Sequence, residues 1–322
     1  MFVLDAPAVI LQDRLVRSHK ILPMSNLLRE TLEAGKFAIT AEITPPRGAD
    51  FDSLAEAVTL LKPAVTAVNL TDGAGARVRM SSLAASIYVK QAGIEPIMQI
   101  TCRDRNRIAI ESDLLGAAAF GINNVLALTG DGIDAGDNPD AKSVFDFKSS
   151  ELLAALRTMS EDATTLSGAQ LSTAPKFFPA AADAPRDPDP DWTPSGLLEK
   201  HAAGARFVQT QYCYDMKVLE RYMHRLADHG VTEKLFFIVG LGPLRSAKSA
   251  TWMRDKLFGT IMPDEIIERM EGAHDPREEG IRICAELMQQ AETIPGVSGA
   301  HLMAPGLQEE MVAAVEMAGL MH

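Results

Sequence analysis

Glu42 stands between Ala41 and Ile43 in an apolar stretch that reads as a β-strand. A carboxyl group in that setting is partly stripped of water. This disfavours its charge, raises its pKa and suits it to give up a proton near neutrality. A Glu paired with a neighbouring Lys or Arg fits the same pattern equally well. Pro45-Pro46-Arg47-Gly48 follows and fixes the chain direction, which favours a positioned group over a mobile one. Asp131, in Thr129-Gly130-Asp131-Gly132, is a second candidate. The glycines allow a flat or phosphorylated ligand to approach the backbone, and the carboxylate could stabilise a developing cation. For an isolated TGDG, a helix cap or turn residue is the better reading. Gln211, in FVQTQYCYD, shares a strand face with Gln209. Its carboxamide offers a donor and an acceptor, which suits the edge of a heterocycle; a core amide bonded to backbone is the alternative.

Other polar residues fall at expected strand ends: Thr71 and Asp72, Gln99 and Thr101, and His301 within the last strand. His301 reads as a satisfied interior histidine. Residues 103–107 (RDRNR) read as a solvated helix start from which one Arg could reach a phosphate. Met80, Met98, Met253 and Met303 read from their settings as core.

The elements that would position these groups alternate. Strand candidates at 36–43, 67–70, 96–100, 124–128, 176–178, 207–211, 234–239 and 298–303 are separated by helical segments. Two extra helical segments, 263–271 and 276–292, precede the last strand. Gly93, Gly121, Gly204 and Gly230 are expected just past helix ends. Eight such units imply parallel pairing and a single α/β domain, a (β/α)8 TIM barrel, over residues 24–322. An open doubly wound sheet is the runner-up, but no GxGxxG occurs. In a barrel the polar strand ends converge on one mouth, so Glu42 and Asp131 are expected to share a cavity. The proline-rich segment 180–191 is expected to be a loop after strand five.

Composition narrows the function classes. With 47% hydrophobic and 23% charged residues, the chain reads as an ordinary soluble globular protein. A net charge of −12 disfavours nucleic-acid binding, and no apolar run reaches the roughly 18 residues of a membrane span. Cys102, Cys213 and Cys284 are far apart, without metal-ligand spacing, and read as reduced, buried cytoplasmic thiols. Residues 1–23 lack a basic start and a small-residue cleavage site, and Asp5, Asp13 and Arg14 interrupt their apolar stretch; they read as an N-terminal extension.

The segments AEITPPRG, ITC, NVLALTGD, FVQTQYCYD and GLGPL run in order from about Phe37 to His301. Together they resemble the methylenetetrahydrofolate reductase family. VNLTDGAGARVRMSSLAA and MQITCRDRNRIA are similar to its short form in acetogenic and related bacteria. The resemblance implies interconversion of 5,10-methylenetetrahydrofolate and 5-methyltetrahydrofolate, with NADH or NADPH as co-substrate and a non-covalent FAD carrying the hydride. By motif, Glu42 matches the general acid that helps open the five-membered ring. Asp131 matches a carboxylate near both pterin and flavin, and Gln211 an amide that reads the pterin edge. Thr71, Gln99, Thr129, Gly130, Asp131 and Phe178 match flavin-contact positions. Lys200 falls near the flavin phosphates, and Met253 where an aromatic often stacks on folate or nicotinamide.

There are departures. Many members carry Arg at Thr129 and His at Gln99, and the segment Phe178-Pro179-Ala180-Ala181-Ala182 lacks the family's carboxylate and imidazole. A homo-oligomer is expected, because such barrels often pair or form tetramers. Two alternatives use the same scaffold: a pterin-binding methyltransferase barrel, and a reductase subunit that needs an electron-transfer partner protein. The chain lacks the cysteine sets for its own iron–sulfur cluster.

Overall fold

The short runs rich in Ile, Val, Leu and Phe pair side by side, and the helices between them cover the outside. In a computed structural model, which describes residues 26–321, eight parallel strands close into a barrel in chain order. The strands are β1 (Ala38–Ile43), β2 (Ala67–Leu70), β3 (Glu95–Thr101), β4 (Asn124–Leu128), β5 (Phe178–Asp183), β6 (Phe207–Tyr212), β7 (Phe236–Leu241) and β8 (Val297–Leu302). The expected extension at 1–23 lies outside the described residues.

Helix α1 (Leu27–Glu33) precedes β1, and α2 (Asp52–Leu61), α3 (Ser82–Gln91), α4 (Arg107–Ala119), α5 (Ser149–Glu161), α6 (Ser195–Ala203) and α7 (Met216–Asp228) follow β1 to β6 in turn. Between β7 and β8 lie α8 (Ala247–Lys256), α9 (Asp264–Glu271) and the long α10 (Pro276–Thr293); α11 (Gln308–Ala318) closes the chain. The extra helices before the last strand are therefore present. Gly93, Gly121, Gly204 and Gly230 all take positive φ just past helix ends, as their spacing predicts.

The fifth strand departs from expectation. It runs from Phe178 to Asp183, not over 176–178, so the first third of the expected loop is barrel wall. Alanines have weak strand propensity, but hydrogen bonding to β4 and β6 on both sides overrides it. The outcome matters for Phe178, which now begins a strand.

The barrel interior is layered along its axis. At the N-terminal end Leu28 and Leu32 of α1 plug the opening against Ala38, Ala67, Ile97, Phe178 and Phe207. Each buried Leu contributes about 1.5–3 kcal/mol relative to exposure. Asn26 caps α1 by accepting from the Arg29 N–H at 3.0 Å, and its Nδ2 donates to Asn124 Oδ1 at 2.7 Å. One end is thus sealed, and the chemistry is left to the other.

Candidate active site

Two residues past Thr40 on β1 comes Glu42; two past Gln209 on β6 comes Gln211; two past His301 comes Met303. The strand period of two aims each pair inward, one residue above the other. The lower members form a buried polar layer. Asn69 Nδ2 donates to Gln209 Oε1 at 2.7 Å, and Gln209 Nε2 donates to Asn69 Oδ1 at 3.0 Å and to Thr40 Oγ1 at 3.2 Å. Thr40 Oγ1 lies 2.9 Å from His301 Nδ1. Burial pushes the His301 pKa down to about 3, so the ring is neutral near pH 7.

Above this layer, at the C-terminal end, opens a cavity of about 180 Å³. Glu42, Gln99, Gln211 and His301 line it, with Leu128 and Met303 as apolar walls. Gln99 Nε2 donates to Glu42 Oε2 at 3.0 Å. No Lys or Arg pairs with Glu42 among the described residues, so the ion-pair alternative does not hold. Burial pushes the Glu42 carboxyl above its ordinary value, and the Gln99 bond offsets only part of the shift. Because Oε2 accepts from Gln99, Oε1 is the oxygen left to carry a proton.

Gln211 is tied to backbone. Its Oε1 accepts from the Tyr212 N–H at 2.9 Å and its Nε2 donates to the Phe258 carbonyl at 3.2 Å. One N–H and one lone pair remain for another partner. β6 is irregular here, with its register on β7 shifting between Gln209 and Tyr212.

Asp131 lies at the same end of the barrel, three residues beyond β4, but outside the cavity wall. Its Oδ2 accepts from the Gly75 N–H at 2.8 Å, so the carboxylate faces the β2 loop on the rim. The expectation that Glu42 and Asp131 share one cavity holds for the pole of the barrel and not for the wall. Thr129 is exposed, 3.4 Å from Ser149 Oγ. Gly130 is the point of close approach: a Cβ there would come within 3.0 Å of Thr101 Cβ and 3.1 Å of Arg103 Cβ. Thr71 is buried, and its Oγ1 has no hydrogen-bond partner among the described residues. Lys200 Nζ donates to the Ala182 carbonyl at 2.7 Å, beside Asp183 at the end of β5.

Two expected contacts are corrected. Phe178 begins β5 and belongs to the sealed N-terminal end, where it stacks on Phe207 at 5.2 Å under the Arg29 guanidinium. It is buried below the polar layer, because the strand starts later than expected. Met253 on α8 packs against the outer core rather than lining the cavity.

The stretch 103–107 is also corrected. Arg103 and Arg105 are not solvated: Arg103 is 3% exposed and donates to the Gly73 carbonyl at 3.1 Å and the Asp131 carbonyl at 3.5 Å. Arg105 grips Asp72 with two bonds of 2.7 and 2.9 Å. Burial works to raise the Asp72 pKa, but the Arg105 fork and the Thr101 donors outweigh it and hold the carboxylate below its ordinary value. These arginines fasten the loops after β2, β3 and β4 around the rim.

Cys102, Cys213 and Cys284 are free and buried, and burial pushes the first two up to about 11 and about 12. Among the described residues no group of three or more His, Cys, Asp or Glu could hold a metal ion. No helix among them is long and apolar enough to cross a membrane.

The family model described as methylenetetrahydrofolate reductase matches residues 27–319. The chain belongs to that family. Within it, the chain is 24% identical over 236 residues to methylenetetrahydrofolate reductase 1 of Schizosaccharomyces pombe, covering 71% of this chain and 36% of that protein. It is 24% identical over 218 residues to 5,10-methylenetetrahydrofolate reductase of Pectobacterium carotovorum, covering 66% of each. The matches therefore span from about a third to two thirds of the relatives' own lengths. Among solved structures, a Clostridium thermocellum protein that binds two copies of 5-methyl-5,6,7,8-tetrahydrofolic acid superposes with a TM-score of 0.55 at 13% identity, covering 91% of this chain and 98% of that one. An F420-dependent secondary alcohol dehydrogenase superposes with a TM-score of 0.54 at 13% identity, covering 89% and 99%. At these identities the likeness is one of fold.

Proposed function

We propose that this family member is a 5,10-methylenetetrahydrofolate reductase. It moves a hydride between NADH or NADPH and 5,10-methylenetetrahydrofolate, and 5-methyltetrahydrofolate is the reduced product. The reading is supported above all by Glu42, an inward carboxyl of raised pKa with an amide on one oxygen and, among the described residues, no cation paired with it.

Reduction needs the five-membered ring opened first. A proton placed on N10 breaks the bond from the bridging carbon to N10 and leaves a 5-iminium cation. Hydride addition to that carbon then makes the methyl group. Glu42 Oε1 is the proton source in this reading, because Gln99 occupies the other oxygen. Asp131, on the rim, supplies negative charge that favours the cation. Gln211 presents its remaining N–H and lone pair to the pterin edge. Leu128 and Met303 keep the reacting carbon dry.

The residues present fit a non-covalent FAD. Thr71 offers a buried hydroxyl without a partner among the described residues, Gly130 a backbone without a side chain at positive φ, and Lys200 a cation at the end of β5. With Phe178 at the opposite end, Thr71, Gln99, Thr129, Gly130, Asp131 and Lys200 are the residues that would hold it. When bound, a flavin supplies a ring that accepts hydride from the nicotinamide and returns it to the folate.

An absorbance spectrum of the purified chain tests this. The expected protein is yellow, bleaches with NADH or NADPH and recolours with methylenetetrahydrofolate. Full activity from a colourless chain that takes up no added flavin would leave direct hydride transfer. No activity with either nucleotide, with flavin supplied, would remove the reductase reading.

A further inference from the structure

Phe258 is 93% exposed, the most exposed large hydrophobic side chain among the described residues. A ring this size left in water is unfavourable unless something covers it. Its segment is nevertheless well fastened. The Ile261 N–H donates to the Tyr212 carbonyl at 2.9 Å, and the Tyr214 N–H to the Ile261 carbonyl at 2.8 Å. Gly259, at φ +77°, lies so close to the β5 loop that a Cβ there would come 2.8 Å from Ala184 Cβ. Residues 257–261 therefore form a fixed flap joining the ends of β5 and β6, and Phe258 is the part of it left in water.

The flap is joined to the cavity by one bond. Gln211 Nε2, on the cavity wall, donates to the Phe258 carbonyl at 3.2 Å. The ring is thus carried by the residue bonded to the carboxamide that would read a ligand edge. The cavity itself offers aliphatic walls from Leu126, Leu128 and Met303, and no Phe, Tyr or Trp. A flat conjugated ligand held at its edge by Gln211 would lack an aromatic partner for its face, and the flap holds a free one at the rim.

We infer that Phe258 is a substrate-binding residue that stacks on the conjugated rings of the folate and helps set specificity for them. The inference rests on the proposed function, since it takes the ligand to be the folate. Offset stacking gives affinity beyond that of apolar contact alone, and a ring with two side-chain torsions is ordered at little entropic cost.

The test is a titration of the full chain with 5-methyltetrahydrofolate, using wild type, Phe258→Leu and Phe258→Trp. The side chain is exposed, so thermal stability stays unchanged in both variants. Phe258→Leu binds the folate about tenfold more weakly, and Phe258→Trp restores binding. In turnover, Phe258→Leu raises the KM for methylenetetrahydrofolate and leaves the KM for the nicotinamide nucleotide alone. Equal folate affinity in wild type and Phe258→Leu overturns the inference by itself, as does a loss confined to the nucleotide. A wild-type chain that binds no folate overturns the proposed function, and this inference with it.

Discussion

Gln99 and Glu42 meet across the barrel mouth, with Gln99 Nε2 3.0 Å from Glu42 Oε2. The amide gives the carboxyl a fixed orientation without giving it a charge to lean on. A cation in that place would hold Glu42 ionised; a neutral amide leaves burial in control, and the pKa rises. In the proposed reaction this neutral amide therefore leaves the acid poised to donate.

The Asp72–Arg105 pair should hold the rim loops together. Arg105→Gln leaves a 6% exposed carboxylate without its cation, so a loss of about 3 kcal/mol is expected. The Asp72 pKa is held below its ordinary value of 3.8. The pair's contribution is therefore full above that value and lost as pH falls through the lowered one. Urea unfolding of both proteins at several pH values checks this: the gap is widest at neutral pH and narrows on acidification.

Thr71 offers a cleaner probe of the cofactor. Its hydroxyl has no partner among the described residues, so Thr71→Val should cost less than about 0.5 kcal/mol of stability. If that hydroxyl contacts a flavin, the variant retains less of it after dialysis. Flavin content, read from the absorbance of the released chromophore, falls while the melting temperature holds.

Asp131→Asn keeps an oxygen for the Gly75 N–H and removes the charge. The folate half-reaction should slow by roughly tenfold or more, with reduction by the nicotinamide nucleotide less affected. Rapid mixing of each half-reaction separates the two. Equal losses would reduce Asp131 to a brace for the β2 loop.

Local chemistry was legible where it depends on neighbours in the chain. Ala41 and Ile43 announce a desolvated Glu42, and Gln209 two residues before Gln211 announces inward amides. The glycines after the helical segments mark the helix ends. What escaped depends on pairing across the barrel. Ala180 to Ala182 carry little strand signal of their own, and only hydrogen bonds to β4 and β6 draw them into the wall. That displacement moved Phe178 to the sealed end. His301 read as satisfied, but its partners Thr40 and Gln209 come from β1 and β6 and could not be read from its own segment. Arg103 and Arg105 looked solvated because, apart from Asp104 beside Arg103, their partners Gly73, Asp72 and Asp131 lie on other loops.

Glu42→Gln tests the central claim, that this carboxyl supplies the proton for folate reduction. The variant also carries a stability signature. Below the ordinary Glu value of 4.5 the group is protonated whether folded or unfolded, so the two proteins should match. As pH rises through the raised folded value the wild type loses stability and the variant does not. The decisive measurement is the pair of half-reactions, followed by stopped-flow absorbance in the Glu42→Gln protein. The account predicts normal reduction by the nicotinamide nucleotide and no detectable transfer to methylenetetrahydrofolate. Transfer to the folate at the wild-type rate, or equal loss of both halves, would contradict it.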